Sequence, residues 1–348
     1  MTALGLVPDL VPDPMSAPAL NWGILAPGGI ARRFVSEIPR YTSSKVLAVA
    51  SRDAGRAADF ARQFGVHRAY GSYQQLVEDP EVDAVYIASP HSEHAAHAEL
   101  ALLAGKPCLV EKAFTVNAAQ ARRVFACARS QGLFCMEAMW ARFLPHYAAL
   151  RRLVDQGELG QVVGLLASHA QALDPDPTAR LWNPELAGGA LLDLGVYPLS
   201  LAQMLLGRPD QIAAQGQLTA TGVDLWESIT LTYGRSWAVL ANDMGAAGAN
   251  HASIIGSAAR VDIPGWFYPP ADLVLTRSGG PPEVLPTKVA GGFQYEAAEA
   301  ARRIKAGALE SEIMPWADTI AVLEIADEVR RQLGLRYPVE SGESLDLG

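Results

Sequence analysis

Basic residues are in deficit: 28 Lys and Arg stand against 37 Asp and Glu, a formal charge of −9 at pH 7. A global field that would gather nucleic acid or an anionic membrane surface is excluded, leaving only a local basic pocket to hold an anion. Cysteine is almost missing. Cys108, Cys127 and Cys135 show no metal-ligand spacing and cannot all pair, which reads as reduced thiols in a cytoplasmic protein. No run of about 18 apolar residues is present, so no membrane span is expected. Residues 1–19 hold no Lys or Arg ahead of their apolar positions, but four prolines and two aspartates, which excludes a secretory signal. Residues 1–20 read instead as a disordered leader, with Met15 as an alternative start. Beyond it there is no internal repeat and no low-complexity tract.

What is there points to a large buried core. The chain has 348 residues, 50% hydrophobic and 19% charged, a length at which two domains are the default. Short apolar runs at 21–25, 46–50, 83–88, 107–110 and 133–136 alternate with helical periodicity at about 30–40, 54–64, 92–105 and 117–131. This βαβ alternation predicts an α/β protein with a doubly wound parallel sheet of Rossmann type, its cofactor at the carboxyl ends of the strands. After about residue 140 the pattern changes. Residues 228–233 and 260–263 alternate with period two among Gly- and Pro-containing turns, predicting an open, mainly antiparallel sheet with one face covered. Helices follow at about 294–306 and 316–333, the second with Pro315 near its start and Gly334 past its end. The expected division is a dinucleotide-binding domain over 21–140, an α+β domain over 141–311, and a helix and tail over 312–348 that return to the first domain.

The first chemical motif is Ala26-Pro27-Gly28-Gly29-Ile30-Ala31, directly after the first apolar run. It fits G-x-G-x-x-G/A except that Ala26 holds the first glycine's place; Gly28 lets the backbone approach a pyrophosphate, whose charge a helix N-terminus favours. Ser51-Arg52 follows the second strand, where NAD-binding sheets usually carry an acid for the ribose. A hydroxyl followed by arginine suits a 2′-phosphate, predicting NADP with NAD left open. The competing reading makes Arg52 a solvated turn residue. Asp53, one position late for the ribose acid, is the residue that could overturn the NADP assignment. His91, His94 and His97 invite a metal, but the i, i+3, i+6 spacing fans the third away and no thiolate is near, so no metal is expected. Pro90, His91 and His94 are expected to shape the loop beside the cofactor, with His97 structural.

Two further segments end in reactive side chains: Glu111-Lys112 closes the apolar run 108–112, and Gly188-Gly189-Ala-Leu-Leu-Asp193-Leu-Gly-Val-Tyr197 follows a glycine turn. A lysine ammonium beside a phenol can move a proton near neutral pH while a hydride moves elsewhere. Tyrosine titrates near 10, so bringing it to about 7.5 needs roughly 3.4 kcal/mol. A lysine about 4 Å away supplies on the order of 4 kcal/mol at an effective dielectric of about 20, so one lysine is about enough provided desolvation of the tyrosinate does not exceed the surplus.

The succession of glycine turn, Ser89-Pro90-His91-Ser92-Glu93-His94, Glu111-Lys112 and residues 188–197 resembles the glucose–fructose oxidoreductase, inositol dehydrogenase and rhizopine-catabolism (Gfo/Idh/MocA) family over roughly 21–340. Residues 137–143 and 314–318 most resemble its subgroup of dimeric dihydrodiol dehydrogenase and NADP-linked xylose dehydrogenases. The resemblance implies an NADP(H)-dependent oxidoreductase moving hydride between nicotinamide and a sugar, sugar derivative or cyclic trans-diol. It also implies a homodimer or homotetramer through the exposed face of the second sheet. Tyr197 falls on the family's acid–base position, which inositol dehydrogenase-like members fill with histidine. The Glu-Lys pair is usually followed by proline; Ala113 stands there, which puts the local geometry near the nicotinamide in question. Lys112 would polarise the substrate oxygen. Asp193 would orient Lys112 or a substrate hydroxyl rather than act as the base, with a helix cap or ion pair as its plainer role, and Glu111 would be structural. Trp140 reads as either an apolar wall for substrate or core, and Arg142 as partner of either a substrate hydroxyl or a neighbouring acid. The same fold also serves aldose–aldose oxidoreductases with tightly held NADP, NAD-dependent glycosidases and non-enzymatic nucleotide-sensing regulators. A regulator would have no need of both Lys112 and Tyr197.

Overall fold

The computed structural model describes residues 10–340. Six short strands form the first sheet: β1 (Asn21–Leu25), β2 (Lys45–Ala50), β3 (Arg68–Tyr70), β4 (Ala84–Ile87), β5 (Cys108–Glu111) and β6 (Cys135–Ala138). All are parallel, in the order β3-β2-β1-β4-β5-β6. Helices cover both faces, so β4, β5 and β6 are buried at every position, which is why they read as apolar runs that break only at the buried Glu111 and Glu137. The crossovers are α1 (Gly29–Tyr41), α2 (Ala54–Phe64), α3 (Tyr73–Val77), α4 (His94–Leu103) and α5 (Ala118–Gln131). From α1, Phe34 stacks on Tyr86 of β4 with centroids 3.8 Å apart. The strand order reverses between β1 and β4, and the crevice at that reversal receives the β1–α1 turn. β3 and α3 left no trace in the hydrophobic pattern; three and five residues are shorter than one period can register.

The second sheet has eight strands: β7 (Val162–Ala170), β8 (Gln211–Leu218), β9 (Asp224–Tyr233), β10 (Ser236–Asp243), β11 (Ala252–Gly256), β12 (Ala259–Ile263), β13 (Leu273–Arg277) and β14 (Pro282–Leu285). Their order is β14-β13-β12-β11-β7-β10-β9-β8, antiparallel throughout except for β7 beside β10. Alternating burial along β10 matches its half-covered position. The covering helix is α7 (Val196–Leu206), entered through a π-helical turn at Leu191–Gly195. The helical stretch Pro184–Leu206 is long and apolar enough to cross a membrane, but 72% of its most apolar window is buried within the protein, as a core helix requires. α6 (Pro145–Asp155), α8 (Phe293–Lys305) and α9 (Trp316–Leu333) complete the chain.

Three placements depart from the sequence reading. Residues 10–20, assigned to a disordered leader, pack against the body: Asp13 caps a short 3-10 turn at Pro14–Ser16, Ala17 and Leu20 are buried, and Arg302 donates to the Asp13 carbonyl at 2.7 Å. Residues 1–9 of that leader lie outside the described residues. α8, assigned to the second domain, lies on α1, where the Phe293 N–H donates to Glu37 at 3.0 Å. α9 does reach the first domain, stacking Trp316 on Phe125 and accepting the Ala118 N–H on Asp327 at 3.0 Å. It equally holds the second sheet, since Gln332 accepts the Ala214 N–H of β8 at 2.7 Å. The helix is a wedge between the two sheets.

Candidate active site

The β1–α1 turn opens into a cleft of about 790 Å³ running between the two sheets. Ala26 is forced to φ +69°, the left-handed region that favours glycine, so the motif's turn survives its missing glycine. A Cβ on Gly28 would meet only Ala88 O, at 3.7 Å, and one on Gly29 would meet nothing. What these glycines spare is room in the cleft, directly over the N-terminus of α1, where a pyrophosphate is stabilised. Ile30 lines the same turn. Ser51, buried at the end of β2, accepts the Asp53 N–H on its hydroxyl at 3.2 Å. Asp53 itself caps α2, accepting from Gly55 and Arg56 N–H at 2.8 and 3.1 Å. The side chains of Arg52 and Arg56 line the cleft and have no hydrogen-bond or ion-pair partner among the described residues. Two unpaired guanidiniums and open glycine backbone fit a dinucleotide with an extra phosphate.

Pro90, His91 and His94 line the cleft from the end of β4. His91 bonds the Ala187 carbonyl at 2.9 Å, and His94 bonds the Ala113 and Ser89 carbonyls, each at 2.8 Å. Burial lowers both imidazoles, to about 3 and about 4, so they serve as neutral struts. His97 bonds Ser89 Oγ at 2.9 Å. The Lys112–Ala113 peptide is cis.

At the other end of the cleft, β5 delivers Glu111 and Lys112 opposite the turn carrying Asp193 and Tyr197. Lys112 Nζ donates to the Asp193 carbonyl at 2.6 Å and lies 3.5 Å from its carboxylate, which also accepts from Arg180 at 2.8 Å. Burial pushes the Asp193 carboxyl up, but Lys112, Arg180 and His91 outweigh it and hold the group well below the usual carboxylate range. So strong an anion is a poor base. Tyr197 accepts the Trp140 indole N–H at 2.8 Å and stacks on Tyr268 with centroids 4.4 Å apart. Glu111 accepts from the Tyr86 hydroxyl and from the Lys112 N–H, and burial raises it to about 7.

Two expectations are corrected here. Lys112 does not bring Tyr197 down in this arrangement: its ammonium sits over the ring, 4.8 Å from the centroid, and is compensated by Asp193. Burial, with Glu111, Tyr268 and Asp193, instead pushes the phenol well above its usual value near 10, against the lowering effect of the Trp140 bond. Arg142 is not a substrate residue. It is buried away from the cleft, with Nε and Nη2 on Ser200 and Nη1 on Asp318, each at 2.9 Å, where it ties α7 to α9. Trp140 lines the cleft and also packs in the core, stacked on Phe293 with centroids 5.1 Å apart. Arg33, Arg56, Gln171, Arg180 and Tyr268 also line the cleft and belong to none of the motifs singled out in the sequence. Arg56 was recoverable, one helical turn beyond Arg52. The others come from α1, from just after β7, and from loops with no local signature.

Residues 20–139 match the model of the Gfo/Idh/MocA oxidoreductase family with its NAD-binding Rossmann fold, and residues 147–262 match that family's C-terminal domain. The chain belongs to the Gfo/Idh/MocA family. Trans-1,2-dihydrobenzene-1,2-diol dehydrogenase of Mus musculus is 38% identical over 335 residues, 92% of this chain and 98% of that protein. The Danio rerio protein of the same name is 35% identical, covering 93% and 99%. Among solved structures, the 3-ketoreductase KijD10 of Actinomadura kijaniata, in complex with NADP and TDP-benzene, is 29% identical with a TM-score of 0.82, covering 91% of this chain and 98% of that one. An aldose–aldose oxidoreductase of Caulobacter crescentus, 24% identical with a TM-score of 0.82 over 90% of this chain and 97% of that one, shares the fold. This Gfo/Idh/MocA chain is an oxidoreductase.

Proposed function

We propose that this protein is an NADP(H)-dependent dehydrogenase or reductase acting on a CH–OH group of a sugar, sugar derivative or cyclic trans-diol, with Tyr197 as proton carrier and Lys112 as the cation that contacts the substrate oxygen. The observation that carries this reading is the convergence of Lys112, Asp193 and Tyr197 at one end of a cleft whose other end is a glycine turn flanked by Arg52 and Arg56. When bound, the nicotinamide supplies the site at which hydride is gained or lost. The chain's own residues handle the proton. Trp140 occupies one lone pair of the Tyr197 oxygen, leaving its hydrogen and second lone pair for a substrate oxygen. The neutral phenol of Tyr197 would give its proton to a carbonyl oxygen in reduction and be left as tyrosinate, and the tyrosinate would take the hydroxyl proton in oxidation. Lys112, held by the Asp193 carbonyl, keeps its remaining N–H groups for the same substrate oxygen. Trp140, Phe293 and Tyr268 offer apolar faces to a ring, and Gln171 and Arg180 supply hydrogen bonds at the mouth.

NADP is preferred over NAD on this reading because two unpaired guanidiniums, Arg52 and Arg56, stand at the nucleotide end of the cleft, where Asp53 also caps α2 through Oδ1. Arg52→Ala should raise the NADP⁺ Michaelis constant roughly tenfold to a hundredfold, the worth of one charge-assisted contact, and hardly move that for NAD⁺. Equal rises, or a wild-type preference for NAD⁺, would contradict the assignment. The free thiols Cys108, Cys127 and Cys135 suit a cytoplasmic setting. The outer face of the second sheet, where Leu166 and Val239 are register partners and both 37% exposed, suits contact with a second copy of the chain.

A further inference from the structure

Beneath the Gly188–Gly195 turn lies a cluster of buried polar side chains that the chemistry above does not use. Asp224 and Glu227 stand on β9, Asn242 faces Glu227 across the ladder on β10, and the three are 0, 1 and 2% exposed. The Leu191 N–H donates to Asp224 Oδ2 at 2.5 Å. A Cβ on Gly189, where φ is +112°, would overlap Asp224 Oδ1. One on Gly195 would sit 2.9 Å from Glu227 Oε1 and 3.0 Å from Asn242 Nδ2. The motif's glycines therefore let the turn rest directly on these carboxyl groups. Yet Asp224 Oδ1, both Glu227 oxygens and both polar atoms of Asn242 have no hydrogen-bond partner among the described residues. Two buried carboxylates side by side with orphaned oxygens would be severely unstable; one proton between them removes a charge and supplies the missing donor.

We propose that Asp224 and Glu227 share one proton and act together as a positioning pair, holding the turn whose Asp193 carbonyl fixes the Lys112 ammonium. Asp224 is the ionised member, since it accepts the Leu191 N–H at the start of the π-helical turn. Glu227 is the acid. Burial, with Asp224 and Asp243 nearby, holds its carboxyl well above the usual range. The other groups facing the pair are Arg330 of α9 and the following Tyr337 and Glu340. Arg330 is engaged by Asp327 and Glu340, and the Tyr337 hydroxyl donates to the Gly188 carbonyl at 2.7 Å, a second strut under the same turn. Asp193 is two residues from Leu191 and presents its carbonyl to Lys112 at 2.6 Å, so displacement of the turn displaces the ammonium.

The catalytic consequence rests on the dehydrogenase reading; the shared proton does not. The test compares wild type, Glu227→Gln, Glu227→Leu and Asp224→Asn by melting temperature from about pH 5 to about pH 9 and by NADP⁺-linked turnover. A carboxyl raised in the fold contributes stability that is complete below its unfolded value near 4.3 and is lost as pH rises toward its folded value. Glutamine has no such loss. The melting temperature of Glu227→Gln minus that of wild type should therefore grow by about 3 °C or more across the range; a constant difference overturns the shared proton, as does elemental analysis finding a stoichiometric bound cation. In turnover, Glu227→Leu should lower kcat at least tenfold with little change in the NADP⁺ Michaelis constant, and Glu227→Gln should recover most of that loss. Asp224→Asn should be worse than Glu227→Gln, because the Leu191 N–H loses its charged acceptor. Equal effects, or Glu227→Gln as inactive as Glu227→Leu, overturn the positioning role. If the wild type turns over no sugar or diol with either nucleotide, the dehydrogenase reading falls while the stability comparison still decides the shared proton.

Discussion

Tyr197 and Lys112 meet through the ring face, and the phenol keeps its proton because burial and the Glu111 and Asp193 charges outweigh what the ammonium offers. One lysine is enough only while desolvation of the tyrosinate stays below the surplus; here burial exceeds it, and the Asp193 carboxylate lies 3.5 Å from the same ammonium. With the phenol held above about 10, the rate of substrate oxidation should keep rising through pH 9 without a plateau, while reduction, which uses the neutral phenol, should be flat there. A plateau at or below pH 8 in the kcat profile would mean that Tyr197 titrates far lower than its surroundings dictate. Lys112→Met should lower kcat in both directions, since it removes the contact to the substrate oxygen as well as the counter-charge to Asp193. Asp193, an anion fixed by Lys112 and Arg180, is then left beside the reacting centre without its principal partner.

The strands and long helices of the first sheet were legible because both-face burial makes β1, β4, β5 and β6 near-continuous apolar runs and because α1, α2 and α5 carry clear apolar stripes. The glycine turn, Glu111-Lys112 and Asp193–Tyr197 were legible as local motifs. What stayed hidden is non-local. Arg142 reads as a site residue by its nearness to Trp140 in sequence, and only the packing of α7 against α9 shows its three bonds to be internal. Arg180 and Tyr268 reach the cleft from loops 13 residues before Asp193 and far beyond it, where no periodicity operates. Asp53 stands one position late for a ribose acid, and its Oδ1 caps α2 on the N–H groups of Gly55 and Arg56. Asp53→Ala should therefore cost about 1 kcal/mol of stability, a fall of about 1–2 °C in melting temperature for a protein of this size, and leave the ratio of NADP⁺ to NAD⁺ efficiency unchanged. A variant that kept its melting temperature but shifted strongly toward NADP⁺ would place Asp53 at the ribose.

The two sheets are joined by segments that belong wholly to neither: α8 on α1, α9 wedged between α5 and β8, and the 10–20 segment packed on α8. These contacts hold the glycine turn of the first sheet and the Lys112–Tyr197 end of the cleft in one body. On the outer face of the second sheet, Leu166 of β7 and Val239 of β10 are exposed register partners near the middle of the strand order. Val239→Glu should convert a dimer in sedimentation to a monomer, and a wild type that sediments as a monomer at micromolar concentration would remove the assembly proposal without touching the fold. The central claim, a nicotinamide-linked dehydrogenase whose proton passes through Tyr197, is tested most directly by absorbance at 340 nm. Wild type and Tyr197→Phe are compared with NADP⁺ over a panel of aldoses, sugar acids and cyclic trans-diols. The wild type should form NADPH stoichiometrically with at least one of them, and the variant should bind NADP⁺ normally but lose about 10²- to 10⁴-fold in kcat; near wild-type turnover by Tyr197→Phe would contradict the account.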